Sequence, residues 1–567
     1  MRLLVCLVLA LIFVTAPAVL AAPRPPMCPE GEADFPLFYT DRTLFDAAEK
    51  QAESVATIKV RPSGLTVPHH MLAAHIIARG FKLADGHRYR RIIVLFPDHF
   101  KVSEAMFATT RRGFATLNGV VPVDHDAVET LLKEDGLAEE NCLFSSDHGL
   151  QAMLPFIARH FPATPIVPIA VSIKSERADW EHMADLLAGL AGPDTLVLQS
   201  TDFSHYLPHH EARLADQQTL NILAARDFTA LAGLVQPDHV DSLGALYIQM
   251  KVQDAVFGAA PLVFANENSQ QYSDRFTNET TSYVGMVFSK ALAGAPSPGL
   301  PDAETVYLAG DTFFGRAMTG VMADPEAADA VAGAIIALTA GRKLAVNLEG
   351  VILPNVPDGL PELTLAMPES LATGFLKRIN AAGIGLANNH ANDLGPSGLA
   401  ETRSALQAAG LAHAGQGEKL ALGGMDIVML SDLDTHAARQ TDILTPGMLD
   451  ALLLPDAARP VIAFVHWGRE YVTEPGEREH WLADQMRMRG VSAVIGAHPH
   501  VASKDLSVLA GGQTLISHTI GNFLFDQSAD KASGALAEVT VFKQGTIAVR
   551  LLPIPNLFDL GKLAARR

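Results

Sequence analysis

The stretch Val-Ser-Ala-Val-Ile-Gly-Ala-His-Pro-His, at residues 491–500, shows how this chain is expected to fold. A short apolar run is followed, after a glycine and an alanine, by two closely spaced histidines. Short apolar runs of this kind predict buried strands. Polar side chains directly after such a strand are typical of the edge of an open α/β sheet at which ligands bind. The same order of features recurs along the chain.

Both halves of the chain alternate short apolar runs with longer segments of helical periodicity. This alternation predicts α/β layers in each half, and it leaves the order of the strands open. In the first half it predicts strands at 91–96, 164–171 and 195–198 and helices at 183–190 and 214–225. In the second half it predicts strands at 305–309, 384–387, 461–465, 491–495 and 514–517 and helices at 399–409 and 480–489.

The length of 567 residues predicts two globular domains, because single cores rarely grow beyond about 250–300 residues. A hydrophobic content of 49% with 19% charged residues is a globular composition. The stretch from Ala293 to Pro301 is rich in proline, glycine and serine, which is typical of a linker. We therefore expect a first domain at 22–290, a linker at 291–303 and a second domain at 304–555.

The first residues have the pattern of a secretory signal peptide. Arg2 gives a positive start, residues 3–14 form a short apolar run, and Val19-Leu20-Ala21 offers small residues for cleavage. We expect residues 1–21 to be removed and the protein to be exported, to the periplasm or the exterior, with an uncleaved membrane anchor as the alternative. No later stretch of the sequence has the about 18 uninterrupted apolar residues of a membrane span.

Charge and cysteine content exclude two classes of partner and site. The formal net charge of −19 would repel a phosphate backbone, so a nucleic-acid partner is not expected. Outside the predicted signal peptide only Cys28 and Cys142 remain, which could pair in an exported protein but are too few for a cysteine-based zinc site. Any bound metal must therefore be held by His, Asp, Asn and Glu.

Five groups of polar residues follow apolar runs in the second half. One histidine after a strand is usually structural, but five such groups in order favour a shared site. Imidazole, carboxylate and amide-oxygen donors together suit Zn, Mn or Fe. The groups are Gly310-Asp311, Asn347-Leu348-Glu349, Asn388-Asn389-His390, His466-Trp467-Gly468 and the histidines of the 496–500 stretch.

The order Asp, acidic residue, Asn-His, His, Gly-x-His-x-His is similar to that of calcineurin-like metallophosphatases. The individual motifs resemble the CapA family, which is associated with poly-γ-glutamate capsule synthesis, over about residues 304–530. They are Asn-Leu-Glu-Gly at 347–350, Ala-Asn-Asn-His at 387–390, His-Trp-Gly at 466–468, Gly-Ala-His-Pro-His at 496–500 and Ile-Gly-Asn-Phe at 520–523.

This resemblance implies a calcineurin-like α/β sandwich with a metal site. It places His390 near the substrate as a general acid or oxyanion partner, and Arg316 as a residue that could hold an anionic group. Phe313 stands where the phosphatases carry a metal-binding histidine, and Glu349 stands where an aspartate is usual, so we expect one occupied metal rather than two. The implied metal ligands are Asp311, Glu349, Asn389, His466, His498 and His500.

A second set of histidines in the first half resembles the Memo family, whose fold is that of class III extradiol dioxygenases of the LigB type. The resemblance covers about residues 60–288 and implies one pocket that could bind Fe(II), Cu or Zn. Its pieces are Val67-Pro68-His69, Pro97-Asp98-His99, Ser146-Asp147-His148 with Leu154-Pro155-Phe156, and Ser200–Tyr206. The implied pocket residues are His69, His99, Asp202 and His205.

The first half departs from the Memo pattern at two places. Met71-Leu72 replaces a Gly-Tyr pair, and Leu243 stands where a cysteine is usual, so the resemblance does not support a thiol-dependent or copper-favouring pocket here. The dioxygenase activity of the wider fold is not carried over, because a fold does not fix a reaction. A Memo-like domain followed by a CapA-like domain resembles proteins described as AmmeMemoRadiSam system protein B.

These expectations lead to two hypotheses of function. The first is an exported, metal-dependent hydrolase or transferase, possessing phosphoesterase-like chemistry, that acts on an anionic small-molecule or polymer substrate of the cell envelope. The alternative is an accessory protein that binds a capsule-type polymer or a protein partner without catalysis. Phe313 favours the accessory protein, and the Asn389-His390 pair favours the enzyme.

Overall fold

The apolar runs of the first half form neighbouring strands of one sheet. The computed structural model describes residues 33–55, 57–134, 136–434, 442–454 and 459–566. The predicted signal peptide and Cys28 lie outside these residues, whereas Cys142 is disulfide-bonded. No helix in the described part of the chain is long and apolar enough to cross a bilayer.

The first domain is an α/β layer structure with a mostly parallel centre. Its strands are β1 (Gly64–Val67), β2 (Arg91–Pro97), β3 (Phe107–Thr109), β4 (Phe114–Thr116), β5 (Gly119–Val121), β6 (Ala138–Glu140), β7 (Ile166–Val171), β8 (Thr195–Ser200), β9 (His205–Leu207), β10 (Pro261–Asn268) and β11 (Thr280–Phe288). Its helices are α1 (Arg42–Ala52), α2 (Ala74–Leu83), α3 (His125–Leu132), α4 (His148–Gln151), α5 (Leu154–His160), α6 (Arg177–Leu190), α7 (His209–Ala225), α8 (Phe228–Ala232) and α9 (Leu243–Val252).

The main sheet of the first domain has the order β10-β11-β1-β8-β2-β7-β3-β6, and β9 pairs with β11. The strands β1, β8, β2 and β7 are parallel, whereas β11 and β10 add antiparallel strands at one side. Every residue of β2, β7 and β8 is buried, as expected for parallel strands that helices cover on both faces. Their carboxyl ends therefore meet at one edge, which carries the polar loops after β1, β2 and β8.

The second domain contains two mixed sheets. Its strands are β12 (Ala303–Thr312), β13 (Leu344–Leu348), β14 (Val351–Leu353), β15 (Ala366–Pro368), β16 (Ala381–Gly385), β17 (His413–Ala414), β18 (Lys419–Leu422), β19 (Met425–Ser431), β20 (Val461–His466), β21 (Ala493–Ala497), β22 (Ser507–Val508), β23 (Leu515–Ser517), β24 (Asn522–Leu524), β25 (Gly534–Phe542) and β26 (Ile547–Ile554). Its helices are α10 (Ala317–Ala323), α11 (Pro325–Thr339), α12 (Glu369–Arg378), α13 (Gly395–Ala408), α14 (Pro446–Leu452), α15 (Glu477–Met488) and α16 (Leu557–Ala564).

Sheet I has the order β17-β16-β13-β12-β25-β26, with β24 paired to β12, and sheet II has the order β18-β19-β20-β21-β23-β22. Side chains alternate between two cores along β12, because successive residues of a strand face opposite sides. Leu308 packs with Ile427 and Phe464 of sheet II, whereas Tyr307 packs with residues of α11 and α12. The outer face of sheet II is covered by α14 and α15. The domain is thus a sandwich of helices, two sheets and helices, which confirms the α/β class expected for both domains.

The predicted linker packs against the second domain. Ser297 is buried and bonds the carboxylate of Glu538 through both its backbone N–H, at 2.9 Å, and its hydroxyl, at 2.5 Å. The Arg550 guanidinium donates to the carbonyls of Leu292 and Ala295, at 3.0 Å each. The 291–303 segment is therefore a strap with fixed partners on β25 and β26.

The helix α7 joins the two domains. The side chain of Gln217 bonds both backbone groups of Ile547, receiving from its N–H at 2.8 Å and donating to its carbonyl at 3.0 Å. Asn221 donates to the carbonyl of Gly512 at 2.9 Å. Because α7 follows the histidine-containing loop at 200–207, the first-domain site and the second domain are connected by one helix.

Candidate metal centres

The second-domain site forms where strands of both sheets end. Asp311 lies next to last in β12 and is paired in register with Asn347 of β13. His466 is the last residue of β20, and it pairs with Ala497, directly before His498. The carboxyl-terminal part of each of these strands is buried on both faces, and the polar residues at the strand ends emerge at the same edge.

Three predicted ligands converge at the centre of this edge. Asp311, Glu349 and His466 are each at most 2% exposed. They offer one ligand atom apiece, and these three atoms all lie within 4.8 Å of one another. A buried group of two carboxylates and an imidazole has the donor set that borderline divalent cations prefer.

Asn347 holds these ligands in place, a role that the sequence analysis missed. Its Nδ2 atom donates to Asp311 Oδ1 at 2.9 Å and lies 3.1 Å from Nδ1 of His466. Its own Oδ1 atom accepts from Asn388 at 3.1 Å. The motif Asn-Leu-Glu-Gly contained this residue, but nothing in its spacing distinguished a positioning amide from a ligand.

The two histidines of the 496–500 stretch flank Asp311. The backbone N–H of His498 lies 3.2 Å from Asp311 Oδ2, and Nδ1 of His500 lies 3.2 Å from the same oxygen. His500 Nδ1 also lies 2.7 Å from Oδ1 of Asn522, which belongs to the Ile-Gly-Asn-Phe motif. Both histidines have positive φ, 98° for His498 and 61° for His500, a strained conformation that is concentrated at functional sites.

Two glycines permit the close packing that brings these loops together. A Cβ atom at Gly310, directly before Asp311, would lie 1.8 Å from the carbonyl oxygen of Gly521. A Cβ atom at Gly496 would lie 1.7 Å from the carbonyl oxygen of His518. Any larger residue at either position would push the 518–521 loop away from the site.

Asn389 and His390 point to different partners. The Oδ1 atom of Asn389 lies 2.8 Å from Nε2 of His466, so Asn389 belongs to the central group. His390 instead donates from Nδ1 to Oδ2 of Asp393 at 2.9 Å, and the same oxygen accepts from the backbone N–H of Leu365 at 2.7 Å. This arrangement fixes the His390 ring and leaves its Nε2 atom available for exchange of a proton.

Arg316 and Phe313 lie together beside the site. The Arg316 guanidinium forms a two-point ion pair with Asp526, at 2.6 and 3.1 Å, and also lies over the Phe313 ring at 5.2 Å. Phe313 is fully buried and packs on Phe525, with ring centroids 5.5 Å apart. The guanidinium expected to hold an anionic group is thus neutralised by an acidic residue of this chain.

The first domain has a pocket at the equivalent edge of its sheet. Three imidazoles, from His69, His99 and His148, offer nitrogen atoms that all lie within 4.8 Å of one another. The Nε2 atoms of His69 and His99 are 3.1 Å apart, and the rings of His99 and His148 have centroids 3.9 Å apart. His148 belongs to the Ser146-Asp147-His148 motif, but its place beside the other two imidazoles was not predicted.

Carboxylates surround these imidazoles. Asp147 accepts from Nδ1 of His99 at 2.7 Å, and Asp202 accepts from the backbone N–H of His69 at 3.0 Å. Asp241 Oδ2 lies 3.2 Å from Nε2 of His69. His205, predicted as the third imidazole, has its Nδ1 atom 2.6 Å from the carbonyl oxygen of Phe203 and is not in the three-histidine group.

Comparison with known proteins agrees with this division of the chain. Residues 41–285 match the family model described as Memo-like protein, and residues 305–428 and 450–527 match the one described as bacterial capsule synthesis protein PGA_cap. The chain is a Memo-like domain fused to a PGA_cap domain. The resemblances seen for the two halves of the sequence are thereby confirmed.

Individual relatives match one domain each. PGA biosynthesis protein CapA of Bacillus subtilis is 30% identical over 203 residues, which are 32% of this chain and 52% of that protein. A MEMO1 family protein of Methanopyrus kandleri is 24% identical over 189 residues, which are 32% of this chain and 66% of that protein. A MEMO1 family protein of Aquifex aeolicus is 22% identical, over 41% of this chain and 87% of that protein. The chain thus spans less than two thirds of the first two relatives.

Electrostatics in the PGA_cap domain suit a bound cation. Burial raises the pKa of Glu349 well above its ordinary value, and the charge of Asp311 raises it further. Burial also acts to raise the pKa of Asp311, but the hydrogen bond and charge of His500 outweigh it and lower that pKa. Burial and the neighbouring His498 lower the pKa of His466. A divalent ion would relieve the repulsion between the two carboxylates and favour a neutral imidazole, so these residues fit a metal.

In the Memo-like pocket the pKa values of two histidines shift in opposite directions. Burial lowers the pKa of His99, but its hydrogen bonds to Asp147 and Asp241 outweigh burial and raise the pKa to about 10. Burial and the charge of His99 lower the pKa of His148 to about 4. The pocket thus keeps a positive charge between its carboxylates, at the place where a cation would bind.

Proposed function

We propose that the PGA_cap domain is a metal-dependent hydrolase with phosphoesterase-like chemistry that acts on an anionic substrate of the cell envelope. The observation that carries this proposal is the buried convergence of Asp311, Glu349 and His466. Asn389, His498 and His500 complete the proposed ligand set. Mn, Zn or Fe would supply electrophilic activation of a phosphoryl or carbonyl group there and would lower the pKa of a bound water.

His390 is the proposed general acid. Its Nδ1–H bond to Asp393 orients the ring, so that Nε2 can give a proton to a leaving oxygen. Its side chain is 15% exposed, which allows contact with a substrate at the mouth of the site. Arg316 can hold an anionic group of the substrate only if that group displaces Asp526 from the Arg316 guanidinium.

The substrate class and the location are inferred from four observations. Two relatives carry names that connect them with PGA or capsule biosynthesis, which supports an anionic envelope polymer or a fragment of it. The N-terminal sequence has the pattern of a signal peptide, which supports export to the periplasm or the exterior. The disulfide bond of Cys142 suits an oxidising compartment. The net charge of −19 argues against a nucleic-acid substrate.

A non-catalytic accessory role is the second candidate. Phe313 fills the place of an expected ligand and is fully buried, and Arg316 is already paired. The test is hydrolysis of phosphomonoester, phosphodiester and γ-glutamyl substrates by the full chain, with Mn²⁺, Zn²⁺ or Fe²⁺. Turnover that the Asp311→Asn variant loses supports the enzyme. If the chain hydrolyses no substrate with any of these metals but still binds an anionic polymer, the accessory role replaces the hydrolase proposal.

A further inference from the structure

The Memo-like pocket contains a carboxylate that no motif indicated. Asp241 lies in the loop before α9, two residues before Leu243, where the Memo family usually has a cysteine. Its side chain is 10% exposed. Its Oδ2 atom lies 3.2 Å from Nε2 of His69 and 3.7 Å from Nε2 of His99. The carboxylate therefore faces the space between two imidazoles.

The Asp241 carboxylate is shielded from solvent and faces the imidazoles. Within the part of the chain that the structure describes, both of its oxygens are buried, and Oδ2 contacts the Nε2 atoms of His69 and His99. Nδ1 of His69 is also buried without a hydrogen bond there. Burial of a carboxylate is strongly unfavourable unless donors or a cation compensate it.

The imidazoles are arranged to receive a cation. Asp147 binds Nδ1 of His99, so the opposite nitrogen of that ring points to His69 and Asp241. A carboxylate behind the imidazole is the usual support of a metal-binding histidine, because it fixes the ring and its tautomer. The ring of His148 lies close to both other histidines, with centroids at 3.9 and 5.0 Å.

Asp202 has a different role from Asp241. Its Oδ1 atom accepts from the backbone N–H of His69 at 3.0 Å, and its Oδ2 atom lies 3.7 Å from the imidazole Nε2 atom. It thus positions the chain that carries His69. The Asp241 carboxylate accepts from no backbone N–H in the described part of the chain, and its Oδ2 atom instead lies within ion-pair distance of the imidazoles of His69 and His99.

We propose that Asp241 is a metal ligand and forms, with His69, His99 and His148, a site for a divalent Fe, Zn or Mn ion. The set of three imidazoles and one carboxylate suits these borderline cations, whereas copper(I) prefers the thiolate that Leu243 cannot supply. This site is separate from the proposed hydrolase centre, and its test does not depend on any activity.

Direct coordination is tested by a cysteine at position 241. The full chain with Asp241→Cys is stripped of metal by a chelator and titrated with Co²⁺. A thiolate bound to cobalt gives an intense charge-transfer absorption in the near ultraviolet, which imidazole and carboxylate ligands do not give. We expect this band in Asp241→Cys and not in the wild type, whose Cys142 is disulfide-bonded. If the folded variant binds Co²⁺ without the band, side chain 241 is not a ligand and the proposal fails.

Affinity gives a second, independent readout. We expect Asp241→Asn to weaken Zn²⁺ binding at one site by on the order of 100-fold or more and Asp241→Glu to restore part of it. Asp238→Asn, an exposed change in the same loop, is the matched control. Each titration is done in the wild type and in an Asp311→Asn background. In that background the proposed PGA_cap site is disabled, so the metal bound there does not obscure binding at the Memo-like site. Equal affinity in Asp241→Asn and Asp238→Asn would overturn the proposal.

Discussion

Oδ2 of Asp393 lies 2.9 Å from Nδ1 of His390, while Oδ1 of the adjacent Asn389 lies 2.8 Å from Nε2 of His466. Neighbouring residues therefore serve two groups, one at the mouth of the site and one at its buried centre. Adjacent side chains after a strand rarely face the same partner, which accounts for this divergence. The functional roles assigned to them remain predictions.

The first prediction separates metal binding from proton transfer. His390→Ala should keep its metal and lose about 10²–10⁴ in turnover, because a positioned general acid contributes that much. His498→Ala should lose both. Metal content by elemental analysis and hydrolysis rates on the same preparations check this, with His413→Ala as a control away from the central group. Loss of metal in His390→Ala equal to that in His498→Ala would refute the assignment.

The second prediction concerns pH and the metal-free Memo-like pocket. The folded pKa of His99, about 10, exceeds the ordinary value of about 6.5, so its charge stabilises the fold fully below pH 6.5. That stabilisation is lost as pH rises from 6.5 to 10, by up to about 1.4 kcal/mol per pH unit. Urea unfolding at several pH values should therefore show a steeper decline for the wild type than for His99→Gln. Parallel curves would show that His99 is not held charged.

A third prediction tests the bond between the domains. Gln217→Ala leaves the buried N–H and carbonyl of Ile547 without their partners, and unpaired buried groups cost about 1–3 kcal/mol each. Thermal or urea unfolding should show a loss of that order in the full chain. Glu211→Ala, at the exposed start of the same helix, is the control and should change stability little. No difference between the two variants would mean that the domain contact does not contribute to stability.

The fourth prediction concerns domain boundaries. Separately expressed first and second halves, cut near Ser297, should each fold, because each domain has its own core. Both should melt below the full chain, since the strap and the α7 contacts are lost. Insoluble or molten fragments from a chain that melts in one cooperative step would show that the halves depend on a shared interface.

The sequence predicted most of the fold correctly. The apolar runs at 91–96 and 461–465 became buried strands within one or two residues of their predicted ends, because their length and β-branched content leave few alternatives. The run at 384–387 was displaced: β16 ends at Gly385, and residues beyond it turn into the site. Strand order and the strap at 291–303 depend on long-range contacts that no local pattern contains.

The sites were predicted less completely, for a physical reason. His69 and His99 lie side by side, because each follows a strand whose end fixes its position. His148 and Asp241 come from loops before short helices, and only the folded chain shows that they reach the same space. Asn347 belongs to the Asn-Leu-Glu-Gly motif, yet its position between Asp311 and His466 depends on the packing of sheet I against sheet II.

Asp311, Glu349 and His466 are proposed to hold a metal ion in the PGA_cap domain. The test is elemental analysis of the full chain, loaded with excess Mn²⁺ or Zn²⁺ and then freed of unbound metal, in the wild type, Asp311→Asn and the exposed control Asp530→Asn. We expect Asp311→Asn to retain the fold but lose one metal equivalent per chain, while Asp530→Asn matches the wild type. Equal metal content in all three proteins would contradict it.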